Sequence, residues 1–247
     1  VKVASGTYRT FGLLADGSIE VWGTNTAGAY AAPALPQGLQ YTDVEAGSNH
    51  CAALRSDGEL IAWGSNNNGE INVPALPPGM SYTRVSVSSS HTVAVRSDGN
   101  AFGFGYNVYG QCNIPALPPG TTYVDAETYY LKTALLRSDG TIVCIGDSTW
   151  NQQTVPPLPP DLRYTQIGAS RWHLAALRSD GEIVTWGHSN NSFVLVVGNL
   201  SRQLKLYFRT DQGAEINGLV HSYVAKLLES VPAGKFMQTG NRKSRRP

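Results

Sequence analysis

The chain is short of charge, of cysteine and of long apolar runs. Only 15% of its 247 residues are charged, against 41% hydrophobic. That balance excludes a disordered polyelectrolyte and fits a globular chain with a buried core. No apolar run approaches the ~18 residues of a membrane helix, so no membrane contact is expected. The three cysteines, Cys51, Cys112 and Cys144, cannot all pair and stand outside metal-ligand spacing. They read as small buried hydrophobes. No signal peptide is legible, and the chain starts at Val1, so the compartment is not read from it. No Ser/His/Asp arrangement, phosphate loop or calcium loop is present, so neither an enzyme nor a cofactor is expected.

Basic residues are scarce where most of the chain lies. Residues 1–192 carry ten Lys and Arg against fifteen Asp and Glu, a balance of −5. Residues 193–247 carry nine against three, a balance of +6. An acidic body is a poor grip for phosphate backbones, so no direct nucleic-acid contact is expected from it.

What the chain does have is a period. Asp-Gly stands at 16–17, 57–58, 98–99, 139–140 and 180–181, always 41 residues apart. A fixed period of this length signals a repeat architecture. In the second copy, His50 to Gly64 reads HCAALRSDGELIAWG. Ser56-Asp57-Gly58 is a three-residue hairpin loop, with Gly in the left-handed region. A short strand such as Tyr41–Val44 precedes it. After the hairpin come a polar loop, Asn66-x-x-Gly69, and a Pro-rich connector, Pro74 to Gly79. The hairpin strands are apolar on both faces, so each sheet must be covered on both sides. Three or four short strands per ~40 residues, with no helical period, predict an all-β fold, a β-propeller. The small residues Gly12, Ala53, Ala94 and Ala176 are expected at a crowded axis, and Trp22, Trp63 and Trp186 in the core.

Ala46-Gly47, His50, Asp57-Gly58, Trp63-Gly64, Asn66 and Gly69, with Gln111 in the third copy, resemble the regulator of chromosome condensation repeat. Asn72-Val73-Pro74 and Asn113-Ile114-Pro115 replace the Leu-Gly of the eukaryotic form. They resemble bacterial members, the propeller-type β-lactamase inhibitor among them. The resemblance covers about residues 1–191 and implies a propeller, which in this family has seven blades. Through the bacterial members it also implies a secreted or cell-surface setting.

Residues 1–191 thus read as a repeat propeller and 192–247 as a divergent tail. The tail has strand candidates at Phe193–Gly198 and Leu204–Phe208, one amphipathic helix over Leu219–Leu228, and a basic end. Phe193–Gly198 is expected as an outer strand of the fifth copy.

Arg9, His50, His91, Lys132 and His173 share one place in the repeat. Propeller symmetry sets them too far apart for one metal ion, so a structural hydrogen bond is expected of them. The aspartates of the Asp-Gly pairs read as turn formers. In an up-and-down blade, the loop before His50 and the loop after Gly64 open on one end. The hairpins and connectors lie on the other. The first end varies from copy to copy and holds Tyr8, Tyr106, Tyr109, Tyr129, Tyr130, Trp150 and Trp172. Turn geometry does not call for aromatics, whereas interfaces favour them. These seven are the candidate partner-binding residues, as the resemblance to the inhibitor also implies. The expectation is a non-catalytic propeller that binds a protein. The alternatives are a carbohydrate or cell-surface module, or an exchange or chromatin-associated factor.

Overall fold

The computed structural model describes residues 2–23, 30–169 and 173–187, and the backbone of two further strands, 193–198 and 204–209. The first sheet is β1 (Lys2–Ser5), β2 (Arg9–Leu13) and β3 (Ile19–Gly23). The second is β4 (Tyr41–Ala46), β5 (His50–Arg55) and β6 (Leu60–Gly64). The third is β7 (Tyr82–Val87), β8 (His91–Arg96) and β9 (Ala101–Gly105). The fourth is β10 (Tyr123–Tyr129), β11 (Lys132–Arg137) and β12 (Ile142–Gly146), and the fifth β13 (Tyr164–Ala169), β14 (His173–Arg178) and β15 (Ile183–Gly187). Each is an antiparallel meander in sequence order. No helix occurs among the described residues, and the expected all-β repeat fold is borne out.

The sheets hold three strands each, not four. The connector packs apolar side chains such as Val73 and Leu76 on the core, and its prolines offer no N–H to a ladder. The fifth sheet has the same three strands as the others. β16 (Phe193–Gly198) does not extend it; β16 pairs with β17 (Leu204–Arg209) in a sheet of their own. The helix expected over 219–228 and the basic end lie outside the described residues.

Alternation along the strands sorts side chains onto two faces, and each face packs on the neighbouring sheet. Phe11 and Leu13 of the first sheet meet Val44, Cys51, Ala53 and Trp63 of the second. Ala52, Leu54 and Leu60 of the second meet Val85, Ala94 and Phe104 of the third. The same layer recurs between the third and fourth sheets and between the fourth and fifth. Trp63 meets Phe11 edge-on at 6.2 Å. Each fully buried large apolar side chain contributes about 1.5–3 kcal/mol. The first strands of successive sheets pack against one another, so β1, β4, β7, β10 and β13 form the inner course.

Two expectations change here. The small residues Gly12, Ala53, Ala94 and Ala176 are not on the inner strands but in the middle ones. They make room inside the layers: a Cβ on Gly12 would stand 2.5 Å from the Trp22 ring. Trp22 is not core. It is 49% exposed, whereas Trp63 is 7% and Trp186 9% exposed. Trp63 and Trp186 pack on the preceding sheet, and among the described residues no sheet lies against that face of the first.

Bonds repeated in every copy fix the hairpin end. Each tyrosine that opens a copy donates its hydroxyl to a proline carbonyl of the preceding connector, Tyr41 to Pro33 at 2.9 Å and Tyr82 to Pro74 at 2.7 Å. Gly58 has φ 88°, and its carbonyl accepts from the Tyr82 N–H of the next sheet at 2.8 Å. Asp57 accepts from the Glu59 N–H at 3.3 Å and pairs with Arg55 at 2.7 Å. Every Asp-Gly aspartate caps its turn in this way, as expected.

Candidate functional site

At the other end, the loop after each first strand and the loop after each third strand lie side by side. Ser65, Tyr106 and Asp147 each donate an N–H to the neighbouring loop, at 2.8, 2.8 and 3.0 Å. The grouping expected from up-and-down topology is therefore present. The first-strand loops stand so close that a Cβ on Gly47 would lie 1.8 Å from the Ser88 carbonyl oxygen. They enclose a cavity of about 370 Å³ lined by residues 5–7, 46–48, 87–89 and 129–130. Four blades contribute to it at equivalent positions.

Beneath the loops, buried polar groups join one blade to the next. Thr92 donates its hydroxyl to the Glu70 carbonyl at 3.0 Å and accepts from His50 Nε2 at 2.8 Å. That pattern places the hydrogen of the His50 ring on Nε2. Thr133 likewise donates to the Gln111 carbonyl at 2.8 Å and accepts from His91 Nε2 at 3.0 Å. Ser88 Oγ lies 2.7 Å from His91 Nδ1. Both imidazoles are fully buried. Burial lowers His50 to about 4, against the opposing charge of Glu70, and lowers His91 to about 3. Both are neutral at ordinary pH, which suits a hydrogen-bonded strut and not a charged contact.

Arg9, at the equivalent place, donates to the Ser48 carbonyl at 3.3 Å and lies 3.3 Å over the Tyr30 ring. The Ser48 bond is a structural one to the next blade, as expected of this position, and Tyr30 belongs to the segment that follows β3. Cys51 and Cys144 are raised to about 12 and Cys112 to about 11, in each case by burial. They are free thiols packed as hydrophobes. Among the described residues, no group of His, Cys, Asp and Glu is placed to hold a metal ion.

Gln111 stands in the repeat pattern and Glu70 and Gln152 hold its place in the neighbouring copies; no role was expected of them, yet they position the outer loops. All three are almost wholly buried. Their side-chain oxygens accept from the N–H of Asn68, Tyr109 and Trp150 at 2.8, 3.0 and 3.0 Å. Burial pushes the Glu70 carboxyl up, but the Asn68 hydrogen bonds outweigh it and hold the group below its ordinary range. The available signal was a polar residue at one place in three copies, two positions after the exposed loop residue.

The seven candidate aromatics fall into three sets. Tyr129 and Tyr130 line the cavity, and Tyr8 follows its rim residue Thr7. Tyr106, Tyr109 and Trp150 belong to the third-strand loops, and Trp172 lies outside the described residues. Tyr8, Tyr109, Tyr129, Tyr130 and Trp150 are 39–67% exposed; Tyr106 is half-buried.

Charged residues sit lower on the inner course. Lys2, Asp43, Arg84 and Asp125 hold one place in four successive copies. Lys2 pairs with Asp43, and with Glu45 at 2.7 Å. Burial raises Asp125 to about 6, with Arg84 opposing, Glu45 adding and Lys2 opposing. Groups from three other blades therefore act on one carboxyl, which places them around a common space.

A model of the regulator of chromosome condensation (RCC1) repeat matches residues 41–70 and 82–111. A model of the PTB domain of IRS-1 type matches residues 170–228; within it, β14 and β15 pair with β13 as the last repeat sheet. No curated protein matches the chain. Among solved structures, yeast RCC1 (Prp20) bound to Kap60 is 20% identical, with a TM-score of 0.62, over 76% of this chain and 55% of that one. The receptor kinase CR4 ectodomain of Physcomitrella patens is 21% identical, with a TM-score of 0.59, over 75% of this chain and 51% of that one. Human WBSCR16 is 17% identical, with a TM-score of 0.61, over 76% and 61%. The chain spans between 51% and 61% of the length of these three. None of them bears on the resemblance of the connector to bacterial members. Residues 41–70 and 82–111 are thus regulator of chromosome condensation repeats, and the chain they belong to has the β-propeller fold of that family.

Proposed function

We propose that this chain is a non-catalytic binding propeller that grips a protein partner through the aromatic loops of its variable end. The observation that carries the reading is the exposure of Tyr8, Tyr109, Tyr129, Tyr130 and Trp150 on one end. Backbone geometry requires no aromatic at these places, since Thr7-Tyr8 corresponds to Ser48-Asn49 and Ser89-Ser90 in the next copies. Tyr and Trp offer wide contact area with few rotatable bonds to freeze. Buried Gln111 and Gln152 hold the loops of Tyr109 and Trp150 in place before any partner arrives, which lowers the ordering cost of binding. Yeast Prp20p, a neighbour at 19% identity, is described by its binding to Gsp1p and histones, which supports a protein partner as the class. The −5 balance of residues 1–192 favours a partner surface with basic groups.

The test is affinity capture from an extract of the source organism. Wild type and Asp57→Ala are expected to retain the same protein, and a Tyr109→Ala/Trp150→Ala double variant to lose it at an unchanged melting temperature. Equal retention by the double variant would sink the reading.

A further inference from the structure

The cavity at the centre of the variable end has a chemistry unlike its surroundings. Among the described residues no charged side chain lines it, although Lys2, Asp43, Glu45 and Asp125 lie on the strands beneath. Its walls carry hydroxyls from the first three blades, with Ser5, Thr7, Ser48 and Ser89 among them, and two aromatic rings, Tyr129 and Tyr130, from the fourth. A hydroxyl both donates and accepts. The described lining offers none of the charges that grip a phosphate, a metal ion or an ammonium group. It matches a ligand that itself alternates donors and acceptors around an apolar ring.

The fourth blade departs from the other three to supply the aromatic wall. β10 runs on to Tyr129, which pairs directly with Lys132, so the loop there is a two-residue turn. Tyr130 takes φ 54°, a region where a residue with a side chain is strained. Its counterparts Thr7, Ser48 and Ser89 are small and have negative φ. Both rings remain more than two-fifths exposed at the cavity. The volume, about 370 Å³, lies at the small end of the 300–1,000 Å³ range of ligand pockets, the size of a single ring and not of an oligomer.

We propose that this cavity binds one pyranose sugar unit, its ring against Tyr129 and Tyr130 and its hydroxyls against the serine and threonine rim. The inference shares Tyr129 and Tyr130 with the protein-binding reading but is tested apart from it, because Tyr109 and Trp150 take no part in the cavity.

The test is saturation-transfer-difference NMR on the full chain with the methyl glycosides of glucose, galactose, mannose and N-acetylglucosamine. At least one is expected to bind, and Tyr129→Ala to weaken it roughly tenfold, the equivalent of one lost aromatic contact. Tyr130→Gly is the control for folding. Glycine accepts the positive φ without strain, so this variant is expected to melt no lower than wild type while binding is again weakened. Trp150→Ala is expected to leave sugar binding unchanged. Binding of none of the four glycosides, binding indifferent to Tyr129→Ala and Tyr130→Gly, or loss of binding in Trp150→Ala would each overturn the inference. None of these results alters the outcome of the protein-capture experiment.

Discussion

The hairpin end and the mouth end of this propeller are made from the same five copies of one repeat, yet they differ in what varies. At the hairpin end the bonds repeat. Ser56, Ser97, Ser138 and Ser179 each accept, at 3.0–3.2 Å, from the N–H that precedes the first strand of their own sheet. At the mouth the buried layer repeats, but the residues above it do not. The equivalents of Gly6-Thr7 are Gly47-Ser48, Ser88-Ser89 and Tyr129-Tyr130. A repeat fold needs its interfaces to match from blade to blade. It places no such demand on a loop that faces solvent, so side chains change there without cost to the stack. The comparison teaches that stability and recognition reside at opposite ends of the same strands.

The largest expected effects come from the layers that both ends share. Trp63→Ala should cost about 3–5 kcal/mol, the range for deleting a buried Trp. Trp22→Ala, at the equivalent but half-exposed place, should cost less than half of that. Thermal melts of the two variants check the pair, and equal losses would show that the first sheet is covered like the others. At the hairpin end, Gly58→Val combines φ 88° with a Cβ 2.3 Å from Ser81 Cβ. It should cost about 3 kcal/mol or more. Gly79→Ala, at φ 79° with open space around it, should lose only about 1–2 kcal/mol. Similar losses would mean that the close approach of connector and hairpin does not matter.

A smaller effect concerns the histidine struts under the mouth. His50 and His91 are held neutral, with folded values of about 4 and about 3, below the unfolded value of ~6.5. Between those limits the unfolded chain binds more protons than the folded one. Their contribution is therefore complete above pH ~6.5 and is lost as pH falls toward 4 for His50 and 3 for His91. Denaturant titrations from pH 7 to 4 should show this slope, and it should flatten by about one proton in His50→Asn. An unchanged slope would place the acid sensitivity elsewhere.

Much of the scaffold was legible because a repeat restates its signals. Five Asp-Gly pairs at one spacing gave hairpins, register and the two-faced sheets. Of the three or four strands expected per copy, three are present. Trp22 was misread because a shared sequence position does not guarantee a shared neighbour. The role of Phe193–Gly198 depended on pairing with β17, a long-range choice that an apolar run does not encode. At the site, exposed aromatics were visible as exceptions to turn chemistry. The cavity was not, because it arises only when loops 41 residues apart are brought together. Nor was the loop-holding role of Gln111 and Gln152, whose polar side chains give no hint in one dimension that they are buried.

The division of labour between the two ends is tested most directly by hydrogen exchange on the chain, with and without its captured partner. Binding should slow exchange at residues 5–8, 106–110, 129–131 and 148–151, and leave the hairpins at 56–58, 97–99 and 138–140 unchanged. Protection at the hairpins with the mouth loops unaffected would contradict the account.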